Sequence, residues 1–255
     1  MNKESAEKRT VIITGGTTGI GAAVSQAFYA QGANVLIAAR NDNGIAESLG
    51  ERAHFQQADV KEQVHHQSLV KTALEWTGRL DVYVNCAGYS EWRPIIRVDE
   101  TFWNDMIDTN LKGTYWGCKA AAERMERGGC IINVSSLAGK RGSANNTVYC
   151  ASKFGVNGVT QALAKELGPR GIRVNAVCPV YVDTDGLQKA LIDKESPSQG
   201  EDVGCFLGKF AIENSALCRI PSADEVANLC VFLSSSEASA ITGQCINVDC
   251  GVLPQ

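Results

Sequence analysis

"TGGTTGIG", residues 14–21, follows the apolar run "TVIITG" (10–15) and opens a helical stretch near 20–31. Its glycines at 15, 19 and 21 give G-x-x-x-G-x-G, a spacing that differs from the dinucleotide fingerprint G-x-G-x-x-G but asks the same of the backbone. Gly15 permits a tight turn, and the later glycines let backbone and helix approach a pyrophosphate. The unpaired N–H groups and dipole of a helix N-terminus favour that anion. A glycine loop at the first strand-to-helix turn predicts an α/β fold that holds a dinucleotide there.

The rest of the chain extends this pattern. "NVLIAA" (34–39), "LDVYVNCAG" (80–88), "CIINVSS" (130–136), "IRVNAVCP" (172–179) and "CINVDCG" (245–251) read as buried strands, with "HFQQAD" (54–59) as a weaker one. Helical segments lie near 61–77, 100–126, 147–168 and 223–234. Apolar strands joined by helices predict a doubly wound, mainly parallel seven-stranded sheet covered on both faces, in one domain over 1–255. From Asp185 to Arg219 the rhythm breaks into polar, glycine-punctuated chain after a strand, on the ligand-binding side of such sheets. We expect a substrate lid at 185–219.

With 255 residues, 44% of them hydrophobic, the chain can bury a large core. A formal net charge of −4 gives no reason to expect nucleic acid or an anionic membrane as partner. No apolar run approaches the ~20 residues of a membrane span. The start, "MNKESAEKRT", lacks the apolar centre of a secretory signal, so the expected location is cytoplasmic. Ten cysteines with no C-x-x-C pair read as reduced, mostly buried thiols, and Cys150 is notable for adjoining Tyr149. His65 and His66 have no acidic or cysteine partner at metal spacing and read as surface residues, so no metal is expected.

"YCASK" (149–153) places Tyr149 and Lys153 one helical turn apart on one face. An ammonium there would favour the phenolate and bring a phenol of pKa near ~10 toward useful acid-base chemistry. The same string also describes a solvated surface pair, and the rest of the chain decides between them.

In order along the chain stand "TGGTTGIG", "NCAG" (85–88), "TNLKG" (109–113), "NVSS" (133–136), "YCASK" and "ITGQCINVDCG" (241–251). With Ser136 thirteen residues before Tyr149, this set resembles the short-chain dehydrogenase/reductase family, in its single-domain form with a Rossmann-like fold. The resemblance implies an NAD(P)-dependent oxidoreductase that interconverts a carbonyl and a secondary alcohol. Its catalytic residues would be Asn110, Ser136, Tyr149 and Lys153. Tyr149 would exchange the proton and Ser136 orient the substrate oxygen. Lys153 would depress the tyrosine pKa and grip the nicotinamide ribose, and Asn110 would hold a water leading from Lys153 toward solvent. The charge that builds on oxygen gives each donor its purpose.

The resemblance also assigns a cofactor set: Gly15, Thr17, Thr18, Gly19, Ile20, Gly21, Arg40, Asp59, Val60, Asn85, Ala87, Gly88, Tyr149, Lys153, Pro179, Val182 and Thr184. Two positions depart from the family pattern. Cys86 stands where it has a second asparagine, and Val180 where it has glycine after Pro179, which brings a β-carbon beside the nicotinamide. The second strand ends at Ala39 with Arg40 next, so no carboxylate repels a 2′-phosphate and the guanidinium can bind one. NADP is therefore expected over NAD. The substrate is a small carbonyl or alcohol bounded by "YSEWRPI" (89–95), 137–146 and the lid, with Arg93 and Arg141 as conceivable ligands for an anionic or polyol group. The resemblance implies a homodimer or homotetramer through helices 100–126 and 147–168. Two alternatives stay open: a non-catalytic dinucleotide-binding regulator, which would have no need of the Asn-Ser-Tyr-Lys set, and a related epimerase or dehydratase, which is usually longer.

Overall fold

The computed structural model describes residues 9–125 and 128–254. Residues 1–8, most of the start read as lacking a secretory signal, and the expected helix end at 126 lie outside the described residues. Seven strands, β1 (Thr10–Thr14), β2 (Asn34–Ala39), β3 (Ala53–Gln57), β4 (Val82–Asn85), β5 (Cys130–Val134), β6 (Arg173–Pro179) and β7 (Cys245–Val248), form one sheet in the order β3-β2-β1-β4-β5-β6-β7. Every pairing is parallel. The chain order of the strands reverses between β1 and β4, the point where open α/β sheets bind ligands beyond their carboxyl ends.

Side chains alternate between the two faces, and each face has its own core. Val11 and Ile13 of β1, with Val35 and Ile37 of β2, pack under α1 (Gly19–Ala30), α2 (Ile45–Leu49) and α9 (Ala223–Ser234). Ile12, Leu36 and Ile131 face α3 (Gln63–Thr77), α5 (Gly113–Arg124) and α6 (Thr147–Leu167). Between α4 (Glu100–Ile107) and α5 the chain makes a π turn, Asp108–Lys112. The remaining helices, α7 (Asp185–Leu191) and α8 (Val203–Asn214), lie within the expected lid segment and pack Leu191, Val203 and Leu207 on Trp92.

Local chemistry fixes the helix starts. Asp99 accepts from Phe102 N at 2.8 Å to begin α4, Asp202 accepts from Cys205 N at 2.9 Å to begin α8, and Ser222 and Glu225 form a capping box on α9. At the opposite end of the units, Gly32, Gly50, Gly78 and Gly171 turn the chain from helix into β2, β3, β4 and β6 with φ of +86°, +109°, +75° and +72°.

His66 is not on the surface. It is buried on the face of α3 that also carries Leu69, Val70 and Ala73. Its Nε2 donates to Val60 O at 3.0 Å and its Nδ1 accepts from the Tyr83 hydroxyl at 2.8 Å. The carbonyl on one side and the phenol on the other hold the ring neutral, and burial lowers its pKa. All ten cysteines are free.

Candidate active site

A cleft of about 1270 Å³ runs across the carboxyl ends of the strands. At one end is the glycine loop. Gly15 has φ +67°, and a β-carbon there would stand 2.7 Å from Ala87 Cα. One on Gly21 would stand 2.0 Å from Gly15 O. Loop, helix start and the β4 exit therefore touch backbone to backbone. Thr14 reinforces the join by accepting from Cys86 N at 3.2 Å and Ala87 N at 3.4 Å. Thr17, Thr18, Gly19, Ile20 and Gly21 all line the cleft. Asn43 Nδ2 ties the loop to the β2 exit through Thr17 O at 2.7 Å.

Arg40 is exposed at the mouth, its carbonyl accepting from Gln57 Nε2 at 2.9 Å, and its guanidinium makes no ion pair among the described residues. Asp59 and Val60 form the next stretch of wall, with Asp59 accepting from Lys61 N at 3.0 Å. Ala87, Gly88, Pro179, Val182 and Thr184 close the cleft toward the strand centre. Thr184 caps α7 by accepting from Leu187 N at 3.3 Å, and its methyl covers the open side of Gly19. Val180 is not among the described positive-φ residues, so its β-carbon is accommodated without left-handed strain.

Asn85 does not line the cleft. It points down from β4 into the core, donating to Asn133 Oδ1 at 2.9 Å, and Asn133 in turn donates to Thr160 Oγ1 at 2.9 Å. Gly117 of α5 leaves the room this requires, because a β-carbon there would stand 1.9 Å from Asn85 Oδ1. Asn110 also lies behind the wall. Fully buried in the π turn, it accepts from Tyr89 N at 3.0 Å and donates to Tyr89 O at 2.9 Å, bracing the chain after Gly88.

The other end of the cleft holds Ser136, Tyr149 and Lys153. Ser136 follows β5, accepts from Ala138 N at 3.1 Å and hydrogen-bonds the Tyr149 hydroxyl. Lys153 is 5% exposed, and its Nζ donates to Val134 O at 2.8 Å and lies 5.7 Å from the centroid of the Tyr149 ring. Burial pushes the Tyr149 phenol up to about 12, against the pull of the Ser136 hydrogen bond. Burial brings the Lys153 ammonium down to about 8. The expected depression of the tyrosine by the lysine does not figure among the causes of its shift: desolvation dominates, Ser136 supplies the opposing pull, and the ammonium is committed to a backbone carbonyl. Tyr149 holds its proton at neutral pH, as a donor.

Several residues at this end were not anticipated individually. Tyr181, Phe206 and Phe210 form an aromatic wall, with Tyr181 edge-on to both phenylalanines at 5.8 and 4.8 Å. Cys86 lines the cleft with its thiol raised to about 12 by burial, so it stays neutral. Arg93 is not open to an anion. It pairs with Glu91 at 2.7 Å and stacks 4.0 Å over Phe102. Arg141 stays exposed on the lining.

A family model described as enoyl-(acyl carrier protein) reductase matches residues 15–253. A 3-oxoacyl-(acyl-carrier-protein) reductase of Chlamydia muridarum is 34% identical over 253 residues, covering 96% of this chain and 97% of its own. The ligand-free aldohexose dehydrogenase of Thermoplasma acidophilum superposes with a TM-score of 0.88 at 29% identity, over 98% of this chain and 99% of that one. A variant of actinorhodin polyketide ketoreductase with NADPH superposes equally, with a TM-score of 0.88 at 30% identity, over 97% of this chain and 98% of that one.

Proposed function

Because this chain belongs to the short-chain dehydrogenase/reductase family, and so is an NAD(P)-dependent oxidoreductase interconverting a carbonyl and an alcohol, we propose that Tyr149 carries the proton of that reaction. One observation carries the reading: the phenol is bonded to Ser136 and flanked by a buried ammonium, at the far end of a cleft that begins at a glycine-walled helix start. The glycines at 15 and 21 let the loop, the helix start and the β4 exit close backbone to backbone, which leaves the helix N-terminus lining the cleft where a pyrophosphate would sit. When bound, the nicotinamide would supply or accept the hydride. In reduction, Tyr149 Oη gives its proton to the substrate oxygen while the Ser136 hydroxyl holds that oxygen in place. Lys153 supplies positive charge beneath the phenol as it ionises, and Asn110 fixes the loop at Gly88 and Tyr89 that walls the reacting centre. In oxidation the same groups act in reverse.

We assign the cofactor as NADP, on Arg40 and on the absence of a carboxylate at Ala39. The substrate is a small carbonyl or alcohol. The named relatives act on both ketoacyl groups and aldohexoses, so kinship leaves the substrate class open. Ten free thiols support a reducing compartment, the cytoplasm, which fractionation of the expressed protein would check. Trp103, Tyr115 and Phe154 are exposed on α4, α5 and α6 and suit burial between copies in a homodimer or homotetramer. A monomer mass by light scattering at micromolar concentration would remove that assignment. The test of the reaction is Tyr149→Phe, which keeps the ring and removes the proton. Turnover should fall by about three orders of magnitude or more with cofactor affinity retained. Turnover near the wild-type rate would refute the role of Tyr149.

A further inference from the structure

Three buried polar atoms, in residues that line the cleft, have no partner among the described residues. The Trp92 ring is 4% exposed and packed on Leu191 and Leu207, yet its Nε1–H reaches no acceptor. Asn146, also 4% exposed, has an Oδ1 that receives no hydrogen bond, and the buried Ser90 hydroxyl is likewise unpaired. All three residues line the cleft. Backbone brings them together, because Arg93 N donates to Asn145 O at 2.6 Å and lays the two strips side by side.

The position of Asn146 makes its orphan atom more telling. It is the N-cap of α6, where an asparagine ordinarily accepts from the first-turn N–H groups, and here its side chain makes no capping bond. It precedes Tyr149 by three residues, which puts it next to the proton donor on the same face of the helix. Unpaired buried polar atoms are rare because each one destabilises the fold. Three of them on one wall beside the reacting group make a template that a ligand completes.

Their hydrogen-bonding character defines that ligand. An indole N–H only donates, an amide oxygen only accepts, and a serine hydroxyl does either. A carboxylate, phosphate or thioester only accepts, so it would leave Asn146 Oδ1 unpaired. An alkyl chain would satisfy none of the three. A hydroxyl group both donates and accepts. Arg93, the cation of this strip, is already held by Glu91 and stacked on Phe102. Tyr181, Phe206 and Phe210 line the same cleft and add aromatic surface for the C–H side of a compact ring.

We propose that the substrate is a hydroxylated carbonyl or polyol, with a hydroxyl adjacent to the reacting carbon, and that Ser90, Trp92 and Asn146 select it. This rests on Tyr149 as the acid-base group, since Tyr149 fixes where the carbonyl lies. The experiment compares kcat/KM for 2-hydroxycyclohexanone, cyclohexanone and the acetoacetyl thioester of N-acetylcysteamine, with NADPH and NADH in parallel. The hydroxyketone should be preferred over cyclohexanone by about 100-fold or more, as sites built to hydrogen-bond a hydroxyl discriminate strongly. Trp92→Phe and Asn146→Leu should each reduce that preference by about 10-fold or more. Unchanged dinucleotide affinity in both variants will show that they fold. If cyclohexanone or the thioester is used as well as the hydroxyketone, or the variants keep the wild-type preference, the proposal is overturned, while loss of turnover in Tyr149→Phe would leave the acid-base reading standing. Wild-type turnover of the hydroxyketone by Tyr149→Phe would overturn both.

Discussion

Replacing Lys153 by methionine should make the cofactor-free protein more stable and nearly inactive. The ammonium is 5% exposed, and burial lowers its pKa from an ordinary 10.5 to about 8. Between those values the unfolded chain keeps a proton that the folded chain has lost, so stability rises with pH across that window. Below about 8 the folded protein carries the charge in full, and at about 1.4 kcal/mol per pH unit the penalty amounts to about 3 kcal/mol. Methionine removes the penalty but leaves Val134 O without its 2.8 Å donor, which costs about 1 kcal/mol. The net gain at pH 7 is about 2 kcal/mol, or about 4–8 °C in Tm for a chain of this size. The gain should fall to zero near about pH 10 and, as the charge penalty vanishes toward pH 10.5, leave the variant less stable by up to about 1 kcal/mol, the lost hydrogen bond alone. Buried thiols such as Cys118 and Cys130, raised to about 12 and about 11, make either protein less stable above pH 9, but Lys153 does not act on them and they cancel in the difference. Urea unfolding of wild type and Lys153→Met at half-unit steps from pH 7 to 10.5 measures the gap. A variant that is less stable at pH 7, by an amount that does not change with pH, would refute the claim that the charge is held under strain.

Two further outcomes are expected. Arg40→Ala should weaken NADPH binding by about 10- to 100-fold and NADH binding by no more than about threefold, with the loss shrinking as salt screens the guanidinium. Wild-type protein that binds NADH more tightly than NADPH would end the NADP assignment. Segment 185–219, with α7 and α8 against Trp92 and the aromatic wall, should exchange amide hydrogens more slowly once dinucleotide and substrate are bound, as a closing lid does. Exchange that is slow from the outset and unaltered by both ligands would make it a fixed part of the scaffold.

The sequence was most informative where chemistry forces a residue type. Gly15 and Gly21 stand where a β-carbon would overlap backbone, and the central strands are mostly apolar because both faces of the sheet are covered there, whereas the edge strand β3 keeps polar residues. It was least informative about direction. Asn85 ends a strand at the cleft, yet side-chain alternation turns it into the core toward Asn133, and no motif records that turn. His66 could have been found, since it is three residues before Leu69 and four before Val70 on one helix face, but polarity alone put it outside. The balance between Tyr149 and Lys153 depends on burial, which the spacing of "YCASK" does not encode. The unpaired atoms of Ser90, Trp92 and Asn146 are invisible in sequence, because a missing partner appears only when every neighbour has been placed.

The left-handed glycines at 32, 50, 78 and 171 have a practical consequence. They gather the helix-to-strand turns on the edge of the sheet away from the cleft, so the molecule has a reacting rim and an inert base. At Gly78 a β-carbon would meet nothing within 4 Å, which leaves free volume at the base for an attachment. An enzyme tethered to a surface through a handle inserted beside that turn would stand upright, with its mouth toward the bulk solution and its dinucleotide exchanging freely. The same handle on the exposed rim near Arg40 would bury the entrance against the support.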